Sequence, residues 1–135
     1  MLEEDYRSTL NQLLEKLECD VQVPDKWDDF YDRRGPVPAT ATDRRRFARL
    51  HCPGRAILQV ETTLPAIDRG QQVHCVLTKD ISRGGLSFLH TEQLFPHEKV
   101  KLWLTIGKHD ALIVRCQRRN ENCYEIGAVF TSLEA

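Results

Sequence analysis

Leu2, Tyr6, Leu10, Leu13, Leu14 and Leu17 recur at spacings of three and four with charged residues between them, which predicts one amphipathic helix over about residues 2–19. Acidic residues in its first turn suit the positive end of the helix dipole. Such a stripe has to cover something, either a β body in the same chain or the matching stripe of a second copy in a homodimer. From Asp20 to Thr42 the pattern breaks, because Pro24, Gly35, Pro36 and Pro38 exclude a regular element. Trp27, Phe30 and Tyr31 interrupt this acidic linker, and buried aromatics there would pin it to the body. From Arg55 onward the period is two, the mark of half-buried strands. Ala56, Leu58 and Val60 alternate with Ile57, Gln59 and Glu61, and Val73, Cys75 and Leu77 alternate with His74, Val76 and Thr78. A short strand over Leu86–Leu89 follows Gly84-Gly85. Val100, Leu102, Leu104 and Ile106 then face one way, opposite Lys99, Lys101, Trp103 and Thr105. Gly107-Lys108 begins a turn into Ala111–Gln117, and Arg118–Asn122 turns into Cys123–Thr131, where Gly127 marks a bulge or a close approach. Six short strands with brief connections predict an antiparallel barrel or sandwich.

The chain of 135 residues suits one domain with an appendage. We divide it into residues 1–39, a helix with an acidic Pro-containing linker, and residues 40–135, the β domain. Charge divides at the same place. Residues 1–39 carry ten acids and five bases, and the remainder ten acids and fourteen bases, so the β domain can attract an anion although the net charge is −1. Asp25, Asp28, Asp29 and Asp32 of the linker could compete for its cations. No apolar run approaches the ~20 residues of a membrane helix. The acidic N-terminus lacks a signal-peptide pattern, giving a cytoplasmic expectation. The five cysteines form no C-x-x-C pair and read as small hydrophobes, with a Cys116–Cys123 pair across a hairpin as the redox alternative. The five histidines are scattered without metal-ligand spacing, so no metal and no catalytic residue is expected.

The chemistry concentrates in two stretches. Asp43-Arg44-Arg45-Arg46-Phe47-Ala48-Arg49 places four guanidiniums in six residues, just ahead of the first expected strand. Their mutual repulsion costs free energy unless an anion or another acceptor sits there, and the flat fork of arginine fits phosphate oxygens and a guanine edge. Asp80-Ile81-Ser82-Arg83-Gly84-Gly85 is a polar turn between two strands. Together they point to a nucleotide-binding module with no chemistry of its own.

Arg45 and Arg49 fit R-x-x-x-R, Arg44 extends it, and Asp80–Gly85 fits [D/N]-x-S-x-x-G. This pair of motifs in this order, with the final Tyr124–Phe130 strand, resembles the PilZ domain, a receptor family for the bacterial second messenger cyclic di-GMP. The resemblance covers about residues 43–131. It implies a mostly β fold, a six-stranded antiparallel β-barrel preceded here by the N-terminal α-helix, with an arginine arm that wraps ligand against the second motif. It places Arg45 and Arg49 on phosphates or the guanine O6/N7 edge, Asp80 on the guanine N1–H and N2–H groups, and Ser82 on a base or within the turn. Gly84 and Gly85 allow close approach or positive φ. Arg44 implies two ligands per chain, stacked as an intercalated dimer. Many relatives carry a C-terminal helix after the barrel; here the N-terminal helix is expected to cover that surface. The resulting expectation is an effector without enzymatic activity or cofactor, acting through an unidentified protein partner. The alternatives are a PilZ-like adaptor that has lost its ligand and a small β-barrel binding single-stranded nucleic acid, for which Trp103 beside Lys99 and Lys101 is the only platform.

Overall fold

The computed structural model describes residues 2–27, 30–32, 35–36, 49–67, 69 and 72–131. Helix α1 (Leu2–Lys16) is followed by a 3-10 turn (Phe30–Asp32) and by strands β1 (Gly35–Pro36), β2 (Arg49–Thr62), β3 (Val73–Ser82), β4 (Gly85–His90), β5 (Lys99–Leu104), β6 (Gly107–Asn120) and β7 (Cys123–Phe130). The strands pair antiparallel in the order β1-β2-β3-β4-β7-β6-β5, and β5 pairs back onto β2. Strands β2 to β7 therefore form a closed ring of six, with the two-residue β1 added beside β2. The chain is mostly β with one N-terminal helix, and the expected six antiparallel strands form a single ring.

Period-two alternation turns one set of side chains into the ring. Leu58, Val76, Phe88, Leu102, Ile113 and Ile126 meet there, each at 0% exposure. At ~25 cal/mol per Å2 of apolar area, burying each such side chain is worth roughly 1.5–3 kcal/mol. The opposite phase is not left to water. Leu10 and Leu14 of α1 pack on Ile57 of β2 and Cys75 of β3, with Tyr6, Leu17 and Trp103 at the margin, and the Tyr6 hydroxyl donates to the Leu104 carbonyl at 2.7 Å. The helical stripe is thus spent on the ring, as the resemblance suggested, while Leu13 stays exposed.

The linker is pinned in the same way. Phe30 is buried against Leu77, Leu89 and Cys123, and Trp27 stacks on it with ring centroids 6.1 Å apart. Lys79 lies over the Trp27 ring at 4.6 Å and donates to Glu125, which also accepts from Arg119. Burial pushes the Glu125 carboxyl up, but the hydrogen bonds from Lys79 and Arg119 outweigh it and hold the group below the ordinary carboxylate range. The Tyr31 side chain, Asp28 and Asp29 lie outside the described residues.

Five expectations need correction. Strand β2 begins at Arg49 rather than Arg55, because an irregularity in its pairing with β3 between His51 and Gly54 admits Pro53, which has no N–H for the ladder. Ile106 does not join Val100, Leu102 and Leu104 in the core. It is 62% exposed in the turn before Gly107, and Gly107 takes φ +135° as the first residue of β6 rather than opening a turn. The helix ends at Lys16, short of residue 19. Cys116 stands opposite Ile126 and Cys123 opposite Asn120, so the two thiols do not face each other.

A different thiol stands out. Cys19, half-buried beside α1, contacts Cys75 on β3, its Sγ 3.9 Å from the Cys75 carbonyl. The hydrogen bond from the Cys75 thiol lowers the Cys19 pKa to about 7 against burial, with help from the Val21 N–H and Arg55, while the same contact raises Cys75. The thiolate of Cys19 is therefore favoured relative to that of an ordinary thiol. Iodoacetamide at pH 7 is expected to label Cys19 several-fold faster than the other four cysteines. Peptide mass mapping at short times checks this, and Cys19→Ser should remove the fast phase. Among the described residues, no helix is long and apolar enough to cross a membrane.

Candidate functional site

The second motif sits where β3 turns into β4, and the ring is irregular around it. On β3 the pairing with β4 slips between Thr78 and Asp80, and on β2 the partner register slips between His51 and Gly54. Bulges re-aim side chains, and these two isolate Asp80 as a regularly paired residue between His51 and Ser87. The Thr78 hydroxyl secures the irregular β2 backbone by bonding the Cys52 carbonyl at 2.6 Å. Asp80 is 7% exposed. Its Oδ1 lies 2.8 Å from His51 Nδ1, and its backbone N–H donates to Ser87 Oγ at 3.3 Å. A carboxylate offers about four acceptor sites, so the His51 contact orients the group without exhausting it.

Ser82 closes its own turn. Its hydroxyl accepts from the Gly84 N–H at 3.2 Å and donates to the Gly85 carbonyl at 3.3 Å, which is the local role foreseen for it. The Phe130 N–H then bonds the Gly84 carbonyl at 2.9 Å, tying the turn to β7. Gly85 does not take positive φ. A Cβ built there would lie 2.2 Å from the Ala128 carbonyl oxygen and 3.1 Å from Val129 Cα, so the close approach it permits is of β4 to β7.

These elements enclose an open cavity of about 310 Å3, at the lower end of the usual range for small-molecule sites. Arg49, Asp80, Ser82, Gly84 and Gly85 all line it, so five of the predicted ligand residues come together. Arg44 and Arg45 lie outside the described residues, as does the rest of the arm before Arg49. Arg83 is exposed and is not part of the cavity wall.

A further part of the lining was missed by sequence reasoning. It comes from β6 and β7, where Arg115 and Val114 join Gly127. The β6–β7 register slips between Ile113 and Arg115, opposite Gly127. Arg115 lies across that glycine, with its Nε and Cγ where an added Cβ would be. The expected bulge or close approach at Gly127 is therefore both, with the bulge on its partner strand. That glycine was the available signal for Arg115; the strand pattern alone showed only an exposed arginine among several.

A family model described as the PilZ domain matches residues 43–135. No curated protein matches the chain. The match spans more than half of the chain and includes all the predicted ligand residues, those lining the cavity and those of the arm before it, and on this ground the chain belongs to the PilZ domain family.

Proposed function

We propose that this chain is a cyclic di-GMP receptor, a binding module without chemistry of its own that signals through a protein partner. The observation that carries the reading is the single cavity wall shared by Arg49, Asp80, Ser82, Gly84 and Gly85 in a PilZ chain. A cation for phosphate or the guanine O6/N7 edge stands beside a carboxylate suited to the guanine N–H groups, which is the pairing a guanine nucleotide requires. Arg115 adds a second cation facing the same space. A cavity of about 310 Å3 suits one end of the ligand, so the remainder of an intercalated dimer would be held by Arg44 and Arg45 of the arm. Ordering of that arm on entry would change the surface presented to the partner, with residues 1–39 riding on the ring as an appendage and the whole acting in the cytoplasm. A homodimer through the N-terminal helix would use the exposed Leu13 side of α1, since Leu10 and Leu14 are occupied. Single-strand binding is less well supported, because Trp103 packs beside the α1 cluster and carries Lys108 over its ring at 5.6 Å.

Calorimetric titration of cyclic di-GMP into the full chain tests the reading. Low-micromolar or tighter binding at two ligands per chain is expected, falling to one in Arg44→Ala. The Arg45→Ala, Arg49→Ala double variant should lose about a hundredfold or more, since each bidentate contact supplies ~1–3 kcal/mol. Absence of heat with the parent chain would overturn the receptor and favour the ligand-free adaptor. In the same titration Gly127→Ala, which displaces the Arg115 side chain without removing its charge, is expected to weaken binding about as much as Arg115→Ala, roughly tenfold. Unchanged affinity in both would exclude Arg115 from the site.

A further inference from the structure

At the far end of the β3–β4 pair from the cavity, His74 is the second residue of β3, His90 ends β4 and Glu92 follows it. Six residues of strand, roughly 20 Å, separate His74 from Asp80, so this end is independent of the ligand reading above. The His74 and His90 rings lie 5.1 Å apart between centroids, tilted by 57°. One donor atom from each of His74, His90 and Glu92 falls within 4.8 Å of the others. His74 Nε2 is 3.4 Å and His90 Nε2 is 3.6 Å from the same carboxylate oxygen, Glu92 Oε2. Two donors at zinc-ligand distance on a tetrahedral ion stand about 3.4 Å apart, so both separations match edges of such a coordination shell.

His90 supplies the second observation. It is 1% exposed, and among the described residues neither ring nitrogen has a hydrogen-bond partner. The Glu92 oxygen at 3.6 Å is beyond hydrogen-bond reach of its Nε2. A buried imidazole left in this state costs free energy that an ion at Nε2 would offset. We propose that His74, His90 and Glu92 form a binding site for one divalent transition-metal ion of the zinc class, with its fourth position open to solvent. Two imidazoles and one carboxylate select zinc, cobalt or nickel over magnesium and calcium, which take oxygen donors. Entry runs through Glu92, whose side chain is half exposed, and His74. The nearby Arg69 guanidinium is engaged by Glu98 and the Gln93 carbonyl, each at 2.8 Å, which keeps its charge partly neutralised beside the site. Bound metal would join the start of β3 to the segment leading from β4 to β5.

The test uses the full chain stripped with a chelator and titrated with zinc chloride, with cobalt chloride as a spectroscopic probe. One zinc per chain is expected, together with visible d–d bands of tetrahedral cobalt and a rise in Tm on zinc addition. His74→Ala and Glu92→Gln, both at solvent-accessible positions, should each weaken zinc at least tenfold and abolish the Tm rise while keeping the parent circular dichroism. No zinc binding by the parent chain overturns the site. So does affinity that survives in the double variant with thiolate-to-cobalt charge-transfer bands, which would place the metal on cysteine.

Discussion

Gly85→Ala is expected to destabilise the ring by about 3 kcal/mol or more, although it adds a single methyl group. Its Cβ would sit 2.2 Å from the Ala128 carbonyl oxygen and 3.1 Å from Val129 Cα, and both are backbone atoms of a paired strand. No rotamer change relieves that clash; β4 and β7 would have to separate where Gly85 stands opposite Val129. The bond from the Phe130 N–H to the Gly84 carbonyl lies beside that point and would be strained with it. Gly54→Ala is the control, since its Cβ meets only Thr78 Oγ1 at an ordinary 3.7 Å, and its unfolding free energy should change by less than about 1 kcal/mol. Urea unfolding of the three proteins followed by circular dichroism checks both. A Gly85→Ala midpoint equal to that of the parent would mean that the strands yield, and the glycine of the motif would then serve ligand approach.

Removing Glu98 is expected to cost a similar amount for an electrostatic reason. Glu98 is 0% exposed and gathers four bonds: Arg69 donates to both oxygens at 3.0 and 2.8 Å, Thr63 donates at 2.7 Å and the Phe95 N–H at 2.7 Å. Deleting one partner of a buried pair typically costs about 3–5 kcal/mol because the other charge is stranded. Glu98→Ala should therefore lose about that much, and Glu98→Gln less, since the amide oxygen can still accept. Acid does the same to the native chain. Burial pushes the Glu98 carboxyl up, but the bonds from Arg69, Thr63 and Phe95 outweigh it, so its folded pKa lies below the ordinary carboxylate value. A depressed acid stabilises the fold above its unfolded pKa of about 4.3, and that contribution disappears as pH falls through the folded value. Urea midpoints at pH 7 and below pH 4 should diverge more for the parent than for Glu98→Gln. Equal divergence would assign acid sensitivity to other groups such as Glu125.

The parts of this architecture legible in the sequence are those set by local period and by motif spacing. Leu10 and Leu14 announced a covered helix face, Leu58 and Leu102 a core, and Asp80 with Gly85 a special turn, whereas on β3 it is Val76 of the His74–Thr78 phase that enters the ring while Cys75 and Leu77 pack outside it. Irregular pairing escaped because it depends on partners far away in the chain. The period-two signal began only at Arg55, and the slip between His51 and Gly54 that extends β2 past Pro53 depends on the distant partner β3. Ile106 continued an alternation that the turn had already ended. Cys116 and Cys123 looked opposed only while the β6–β7 register was unknown. Arg115 entered the cavity wall because that register slips at Val114; Gly127 hinted at an irregularity there, but not at which arginine of β6 it would bring in. The histidines were scattered in the chain, yet strand pairing brings His74 beside His90.

The order of the ring has a consequence for how the protein is born. β7 is the last of its strands to be synthesised, yet it lies between β4 and β6. Until residues 123–130 have left the ribosome, β4 and β6 each present an unsatisfied edge, and the interior that Phe88 and Ile126 share cannot seal. Closure between β2 and β5 alone would leave a torn cylinder. Folding of the ring is therefore expected to complete only after translation of β7, and any pause before it prolongs exposure of an aggregation-prone edge. α1, made first, is available throughout that interval, and its leucine stripe can shield β2 and β3 while they wait.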